Sequence, residues 1–341
     1  MAASFDRALR DAIAGETATV PVAELQRAVE ALSRRYREEA VGGGTVGRLT
    51  ATERLAYAVV RLPATAAALD AVFAAVARHT RLEPRTMTDL GAGPGTALWP
   101  ALSRWPELRR VVLVDRDPEL LRLGSRLWNR AAAGYEHRPG VELRTGDLAT
   151  ADAPAADIVV VSYAIGELAE DRAVKATEQA LALTAGALVV VEPGTPAGFA
   201  RIRAVRDRLR AAGATLAAPC PHEAACPMTG ADWCHFAVRL DRSRAHRQSK
   251  HAELGWEDEK YAYVVALRDP ALLRARADAR VIRRPRKETG HVRLALCARE
   301  GLTDAVVTRR GPTYRAARDA AWGDPWPPMD DATVEVDPSS A

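Results

Sequence analysis

Thr86-Met-Thr-Asp-Leu-Gly-Ala-Gly-Pro-Gly-Thr-Ala97 is the stretch whose reading decides the fold. A short apolar run ends in an acid, Asp89, and three glycines follow at alternate positions, Gly91, Gly93 and Gly95. This predicts a strand turning sharply into a helix. Without a Cβ the loop backbone can take positive φ and lie directly against a ligand. Spacing then sorts the glycine-rich loops. A Walker A loop ends in Gly-Lys-Ser/Thr, and none follows here. A dinucleotide fingerprint needs Gly or Ala three residues after its second glycine, and that count lands on Thr96 or Leu98. What remains is Asp-x-Gly-x-Gly-x-Gly, with Asp89 expected to point into the same crevice.

Outward from the loop, Arg110-Val-Val-Leu-Val-Asp115 is a continuous apolar run of the kind found in parallel strands buried on both faces. It ends in an acid 20 residues past Gly95. In a doubly wound sheet that carboxylate stands beside the glycine loop, within reach of ribose hydroxyls, and Asp117 is the alternative. Val141-Glu-Leu-Arg-Thr-Gly-Asp147 reads as a third strand, and residues 157–163 and 187–192 as a fourth and fifth. Strands alternating with helical segments imply βαβ units and right-handed crossovers. The set resembles class I S-adenosylmethionine-dependent methyltransferases, whose motif I has the Asp89–Gly95 pattern. The resemblance implies an α/β Rossmann-like seven-stranded sheet. It also implies S-adenosylmethionine at Asp89, Gly91, Gly93, Gly95 and Asp115, and an adenine contact at Asp147.

Candidate reacting groups lie just past the fourth strand, in Ser162-Tyr-Ala-Ile-Gly-Glu-Leu168. Tyr163 and Glu167 could position a substrate, and an ordinary strand-to-helix cap explains them equally well. There is no Asn/Asp-Pro-Pro-aromatic motif for exocyclic amines and no Pro-Cys nucleophile after the fourth strand. Pro219-Cys220 comes only after the fifth. Methyl transfer to nitrogen or oxygen can proceed on alignment and a modest base, so these absences leave activity open.

Ahead of the sheet, the Ala-rich prefix shows helical spacing at Leu25, Val29 and Leu32, then at Leu55, Ala56, Val59 and Val60. Gly42-Gly43-Gly44 marks a loop between them. Arg61-Leu-Pro-Ala-Thr65 breaks the second helix before it resumes over Ala66–Arg78. Such a prefix can cap the crevice, dock a partner or serve as a packing layer. No run of 18 or more apolar residues occurs, and the first residues carry acids. A soluble, cytoplasmic chain with no membrane contact is the expectation.

All four cysteines lie in the second half: Cys220, Cys226 and Cys234, then Cys297. The first three sit in a proline-rich segment with little periodicity that could bury little core by itself. Structural zinc favours tight Cys-x2-4-Cys hairpins, and these spacings are longer. Four thiolates without a close pair suit an iron–sulfur cluster better, and Cys-Pro at two of them is a ferredoxin-like feature. His222 and His235 keep a mixed zinc site as the alternative, with isolated thiols as the bland reading. Cys297 closes His291-Val-Arg-Leu-Ala-Leu-Cys297, an alternating strand expected at the far edge of the sheet beside Tyr261–Leu267.

Charge is unevenly placed. Residues 201–320 hold 25 Lys and Arg against 14 Asp and Glu, whereas residues 321–341 hold five acids and no base. Arg201, Arg203, Arg206, Arg208, Arg210, Arg239, Arg242, Arg244, Arg247, Lys250, Arg283, Arg284, Arg286, Lys287, Arg309, Arg310, Arg315 and Arg318 are interspersed with Trp233, His235, His246, Trp256 and Tyr314. Arginine forks suit phosphates and rings suit stacking on unpaired bases, which points to RNA. Only four of the 48 basic residues are Lys, so solvated helix faces in an Arg-biased chain are the plain alternative.

Taken together the motifs resemble the methyltransferase-like proteins of the mitochondrial small ribosomal subunit and their bacterial relatives. The resemblance rests on Arg61-Leu-Pro-Ala-Thr65, Asp89 to Gly95, Ser162 to Leu168, Glu192-Pro-Gly-Thr-Pro-Ala-Gly-Phe199, Cys220-Pro-His through Trp233-Cys-His-Phe236, and Arg309-Arg-Gly through Trp322-Gly-Asp324. It implies a four-iron four-sulfur (4Fe-4S) cluster on Cys220, Cys226, Cys234 and Cys297, and association with small-subunit 16S ribosomal RNA during assembly or translation. The chain divides into a helical extension (1–82), a cofactor core (83–200), a Cys-rich basic metal-binding insertion (201–260), the end of the sheet with a basic segment (261–322), and an acidic tail (323–341). A monomer is expected. The rival readings are an assembly factor with a vestigial cofactor pocket and a small-molecule methyltransferase with a structural zinc.

Overall fold

The computed structural model describes residues 5–42, 49–135, 137–241 and 255–329. The prefix forms α1 (Phe5–Thr17), α2 (Val22–Gly42), α3 (Ala51–Val60) and α4 (Leu62–His79). A capping box starts α3, with Thr50 and Glu53 satisfying each other's backbone N–H. The break at Arg61 bends α3 against α4 by 44°. Helix resumes at Leu62 rather than Ala66, because Pro63 falls in the first turn, where its missing N–H costs nothing. Leu62, Leu69, Val72, Phe73 and Val76 of α4 are fully buried, so it is a core helix. Among the described residues no single helix is long and apolar enough to cross a membrane.

The central layer is built from β1 (Thr86–Leu90), α5 (Leu98–Arg104), β2 (Arg110–Asp115), α6 (Pro118–Ala131), β3 (Gly140–Thr145), β4 (Ala156–Ser162), α7 (Glu170–Ala182), β5 (Thr184–Pro193), α8 (Pro196–Ala211), β6 (Thr215–Ala218), β7 (Phe236–Asp241) and β8 (Trp256–Leu267). The strands pair in the order β3-β2-β1-β4-β5-β8-β6. The five strands from β3 to β5 are parallel, and β8 is antiparallel to its neighbours. β7 joins the same edge of β8 as β6, so the sheet is mixed and holds eight strands where seven were expected. The expected α/β fold, a mostly parallel sheet with helices on both faces, is present. Two-residue periodicity splits its core. Met87, Val111, Leu113, Ile158, Val160 and Val189 pack under α1 to α6. Their neighbours Leu90, Val112, Val114, Val159, Val161 and Leu188 pack under α7 and α8. Each such side chain contributes about 1.5–3 kcal/mol on burial, which is why these runs specify the sheet so firmly.

A second, antiparallel sheet follows: β9 (Ala279–Val281), β10 (Arg286–Glu288), β11 (His291–Ala298), β12 (Gly301–Thr308) and, after α9 (Tyr314–Asp319), β13 (Pro325–Trp326). Val281, Val292, Leu294, Leu296 and Ala317 give it a core of its own. This corrects the expected place of Cys297. Its strand, β11, pairs with β9, β10 and β12 rather than extending the main sheet. Tyr261–Leu267 lies instead between β5 and β6. A buried clasp joins the two sheets. The Arg280 guanidinium donates to the carbonyls of Pro219 (3.0 Å) and Gly323 (2.9 Å) and to His79 Nε2 (2.9 Å) at the end of α4. The other ring nitrogen of His79 faces the Ala275 carbonyl at 2.9 Å, so it carries the proton.

Candidate functional site

The strand order reverses between β1 and β4, and the crevice beyond that switch point is where open α/β sheets hold ligands. Loops after β1, β2, β3 and β4 close there on a cavity of about 530 Å³. The three glycines have different tasks. Gly91 and Gly93 both have positive φ, 75° and 55°. A Cβ on Gly91 would lie 2.6 Å from that of Ala164, so the ends of β1 and β4 meet only because it is absent. A Cβ on Gly93 would meet nothing nearer than Tyr57 Oη at 3.9 Å, so this residue faces the cavity. Gly95 packs on Leu113 and does not line the cavity. Behind the loop α6 passes so close that a Cβ on Gly124 would stand 2.3 Å from the Pro94 carbonyl oxygen.

Asp115 lines the cavity and organises its floor, accepting from Gly93 N–H at 2.7 Å and Asp117 N–H at 2.8 Å. Burial still raises its pKa above the ordinary carboxylate value. Asp117, the alternative, caps α6 through Glu119 N–H and holds Arg54 through a two-pronged ion pair at 2.9 and 3.2 Å. Asp147 stands at the rim, paired with Arg172 and accepting from Ala149 N–H. Burial pushes its pKa up, yet these partners bring it below the usual value. Asp89 does not point into the crevice as expected. It is fully buried behind the loop and does not line the cavity. Burial, with Asp115 nearby, pushes its pKa up to about 7.

Both candidate reacting groups line the cavity, and both are engaged. Tyr163, held at φ 55°, donates its hydroxyl to Glu259 Oε1 at 2.9 Å on β8, under the guanidinium of Arg61. Burial and Glu259 raise its pKa well above that of an ordinary phenol. Glu167 pairs with Arg116 at 2.8 Å. The loop between them is anchored by buried Glu192, which accepts from Gly166 N–H and pairs with Arg201. Burial raises the Glu192 pKa to about 7 even so. Leu49 and Tyr57 of the prefix form another wall of the cavity, so the prefix caps the crevice. Neither is among the positions whose helical spacing marked the prefix, and no sequence signal set them apart.

On the α7/α8 face, Cys220, Cys226, Cys234 and Cys297 line one smaller cavity of about 40 Å³, brought together from the proline-rich segment and β11. Burial raises the thiol pKa values of Cys226, Cys234 and Cys297, the last to about 12. His222 Nε2 lies 3.7 Å from Cys297 Sγ. Arg206 and Arg280, 3% and 2% exposed, also line this cavity, and no carboxylate does. Among the described residues no three His, Cys, Asp or Glu side chains are grouped as a single bound ion requires. Arg206 is thus not on the basic surface where the charge pattern placed it. Nor is His235 free to stack on a base. It is buried between Trp233 and Trp322, at 5.0 and 4.6 Å.

Of the remaining basic residues, Arg201, Arg208, Arg239 and Arg283 pair with Glu192, Glu178, Asp258 and Asp232. Arg239 also stacks on Trp256 at 3.7 Å. Arg286, Lys287, Arg309, Arg310, Arg315 and Arg318 are exposed on the second sheet and α9. Arg242, Arg244, His246, Arg247, Lys250 and residues 330–341 of the acidic tail lie outside the described residues.

A family model described as mitochondrial small ribosomal subunit Rsm22 matches residues 51–327. The chain is 30% identical over 341 residues to the human mitochondrial ribosome assembly protein METTL17, spanning 88% of this chain and 73% of that one. It is 24% identical over 304 residues to the mitochondrial Rsm22-cox11 tandem protein 2 of Schizosaccharomyces pombe, of which it spans 39%. Among solved structures it is similar to an O-methyltransferase family protein of Burkholderia thailandensis, with TM-score 0.40, 18% identity and 64% and 59% of the two chains covered. Magnesium protoporphyrin IX methyltransferase of Synechocystis with bound SAM gives TM-score 0.40, 14% identity, and 65% and 86% coverage. The matched family and these sequence relatives are named as mitochondrial, which overturns the cytoplasmic location expected from the first residues.

Proposed function

The chain belongs to the Rsm22 family of mitochondrial small ribosomal subunit proteins, and from that premise we propose that it is a ribosome assembly protein that binds S-adenosylmethionine and a 4Fe-4S cluster and acts on small-subunit ribosomal RNA. The observation that carries the ligand reading is the opposite charge of the two cavities. Asp115, Asp117, Asp147 and Glu167 line the first; Arg54, Arg172 and Arg116 pair with the last three in turn, which leaves the acids one in excess and suits a cofactor carrying a sulfonium and an ammonium. The second holds four thiols, three arginines and no acid, which suits an anion built on thiolates. The donor set fits both groups. The cavity at the switch point falls within the usual range for small-molecule sites, about 300–1,000 Å³. In this reading Asp115 would take the ribose hydroxyls and Asp147, at the rim, the adenine amino group.

Cys220, Cys226, Cys234 and Cys297 would hold the cluster. Its chemistry there is that of a tie, joining the proline-rich segment to the second sheet on one inorganic core. The exposed arginines of the second sheet and α9 would supply phosphate contacts, so binding to the small subunit falls steeply with salt. The non-catalytic form of this reading is favoured by one observation: Tyr163 and Glu167 are both already tied to protein partners.

Three measurements test the proposal. Anaerobically purified protein should be brown and contain iron and sulfide; a colourless protein with stoichiometric zinc rejects the cluster. Calorimetry with S-adenosylmethionine should show one site, and absence of heat and of competition by its demethylated product rejects the cofactor. Sedimentation at low salt should place the protein with small subunits, and its absence from those fractions rejects the partner.

A further inference from the structure

Two guanidinium groups are buried at the thiol cavity, and they are not equivalent. Arg280 spends its donors on two carbonyls and His79, as the clasp between the sheets. Arg206 alone donates to a sulfur: its Nε lies 3.3 Å from Cys220 Sγ. The same side chain forks onto the carbonyls of His222 (3.3 Å) and Ala224 (2.5 Å), inside the loop between the first two cysteines. Its remaining nitrogen, Nη1, pairs with Asp207 at 2.8 Å, and that carboxylate is about half exposed. A neutral thiol is a poor acceptor for a buried cation, whereas a metal-bound thiolate makes a charge-assisted bond with it. Taking a guanidinium out of water is costly, and a partly solvated Asp207 offsets only part of that cost. The geometry is that of a cation waiting for an anion on its sulfur side.

We propose that Arg206 is the positioning residue of the thiol cavity: it holds the 220–226 loop in place and, by its bond to Cys220, favours the more reduced, more negatively charged state of the bound cluster. This rests on the cluster reading above. Hydrogen bonds to cluster sulfurs and local charge are among the protein's main controls on potential. The residue acts through Cys220 and touches no iron.

The test uses the full chain, loaded anaerobically with iron and sulfide and titrated with dithionite, with the reduced fraction read by electron paramagnetic resonance. Arg206→Gln should make the cluster harder to reduce, lowering the reduced-to-oxidised ratio at a fixed potential by at least tenfold, about 59 mV for one electron. Arg206→Lys keeps the charge and loses the fork. It should retain most of the potential while surrendering iron to a chelator faster than wild type. Asp207→Asn leaves the loop contacts alone and should ease reduction. Arg208→Gln, on the exposed side of the same helix, should change nothing. An iron-loaded Arg206→Gln protein with the wild-type midpoint overturns the proposal. If that variant does not hold iron, an unmoved midpoint in Asp207→Asn overturns it equally. Wild-type protein that binds no iron refutes the cluster reading instead.

Discussion

Gly124→Ala sets two effects of known sign against each other. Gly124 lies inside α6 with ordinary helical backbone, so replacing glycine by alanine should stabilise the helix by about 1 kcal/mol. The new Cβ, however, would stand 2.3 Å from the Pro94 carbonyl oxygen, 2.6 Å from its carbon and 2.9 Å from its Cα. All three are backbone atoms of the glycine loop, so no rotamer change relieves the contact. Separation to 3.0 Å, the limit that real Cβ atoms respect, requires a shift of at least ~0.7 Å between α6 and the loop. Overpacking of this kind costs about 1–3 kcal/mol, and a rigid backbone neighbour belongs at the upper end. The net is a loss of about 1–2 kcal/mol despite the better helix former. The shift also falls on the Gly93 N–H that bonds Asp115. S-adenosylmethionine affinity should therefore drop at least tenfold, about 1.4 kcal/mol. Thermal unfolding with and without cofactor, together with calorimetry, reads both terms. A variant as stable as wild type or more so, with unchanged affinity, would refute the reasoning.

Other outcomes follow from the same geometry. Asp117→Ala removes the α6 cap and leaves Arg54 buried without its carboxylate, so denaturant unfolding should show a loss of about 2–4 kcal/mol. Unchanged stability would mean that the ion pair is not formed. Asp89 and Glu192 have folded pKa values raised to about 7, so the folded state binds more protons than the unfolded state between about pH 4 and 7. Their contribution is therefore fully present in acid and lost as pH rises through 7. Asp89→Asn should remove its share and raise stability at pH 8 relative to wild type by a few kcal/mol, and an identical pH profile would exclude it. Arg309→Gln with Arg310→Gln should weaken binding to small subunits and reduce the log–log salt slope by about 1.4–1.8, and an unaltered slope would place the RNA contact elsewhere.

Much of this architecture was legible in the chain. Val111–Val114 and Ile158–Val161 are apolar at every residue because both sheet faces are covered, and the glycine loop opens on the switch-point cavity. Other features left no trace. An alternating strand such as His291–Cys297 declares that one face is buried, but not against which sheet, and β11 joins the second sheet rather than the main one. Four residues of β6 carry too little pattern to register as a strand. An arginine facing a thiol has the same letter as one facing water, so nothing in the chain separates Arg206 from the surface charge. Asp89 matched a motif by position, while its burial comes from packing around the end of β1 that the motif does not encode.

The hydrogen-bonding direction at His79 makes the joint between the sheets one-sided with respect to acid. Its Nδ1 is committed to the Ala275 carbonyl, so Nε2 can receive Arg280 only while it keeps its lone pair. Burial and Arg280 accordingly depress its pKa to about 4. The unfolded chain then takes up more protons than the folded one between about pH 6.5 and 4, and support from this contact drains away as the solution acidifies through that interval. A second proton on the imidazole would set two cations nose to nose, a wedge driven between helix and sheet from within. The buried carboxyls near the glycine loop lean the other way over much of the same range, so the intact molecule can show a level profile that conceals two steep and opposing slopes.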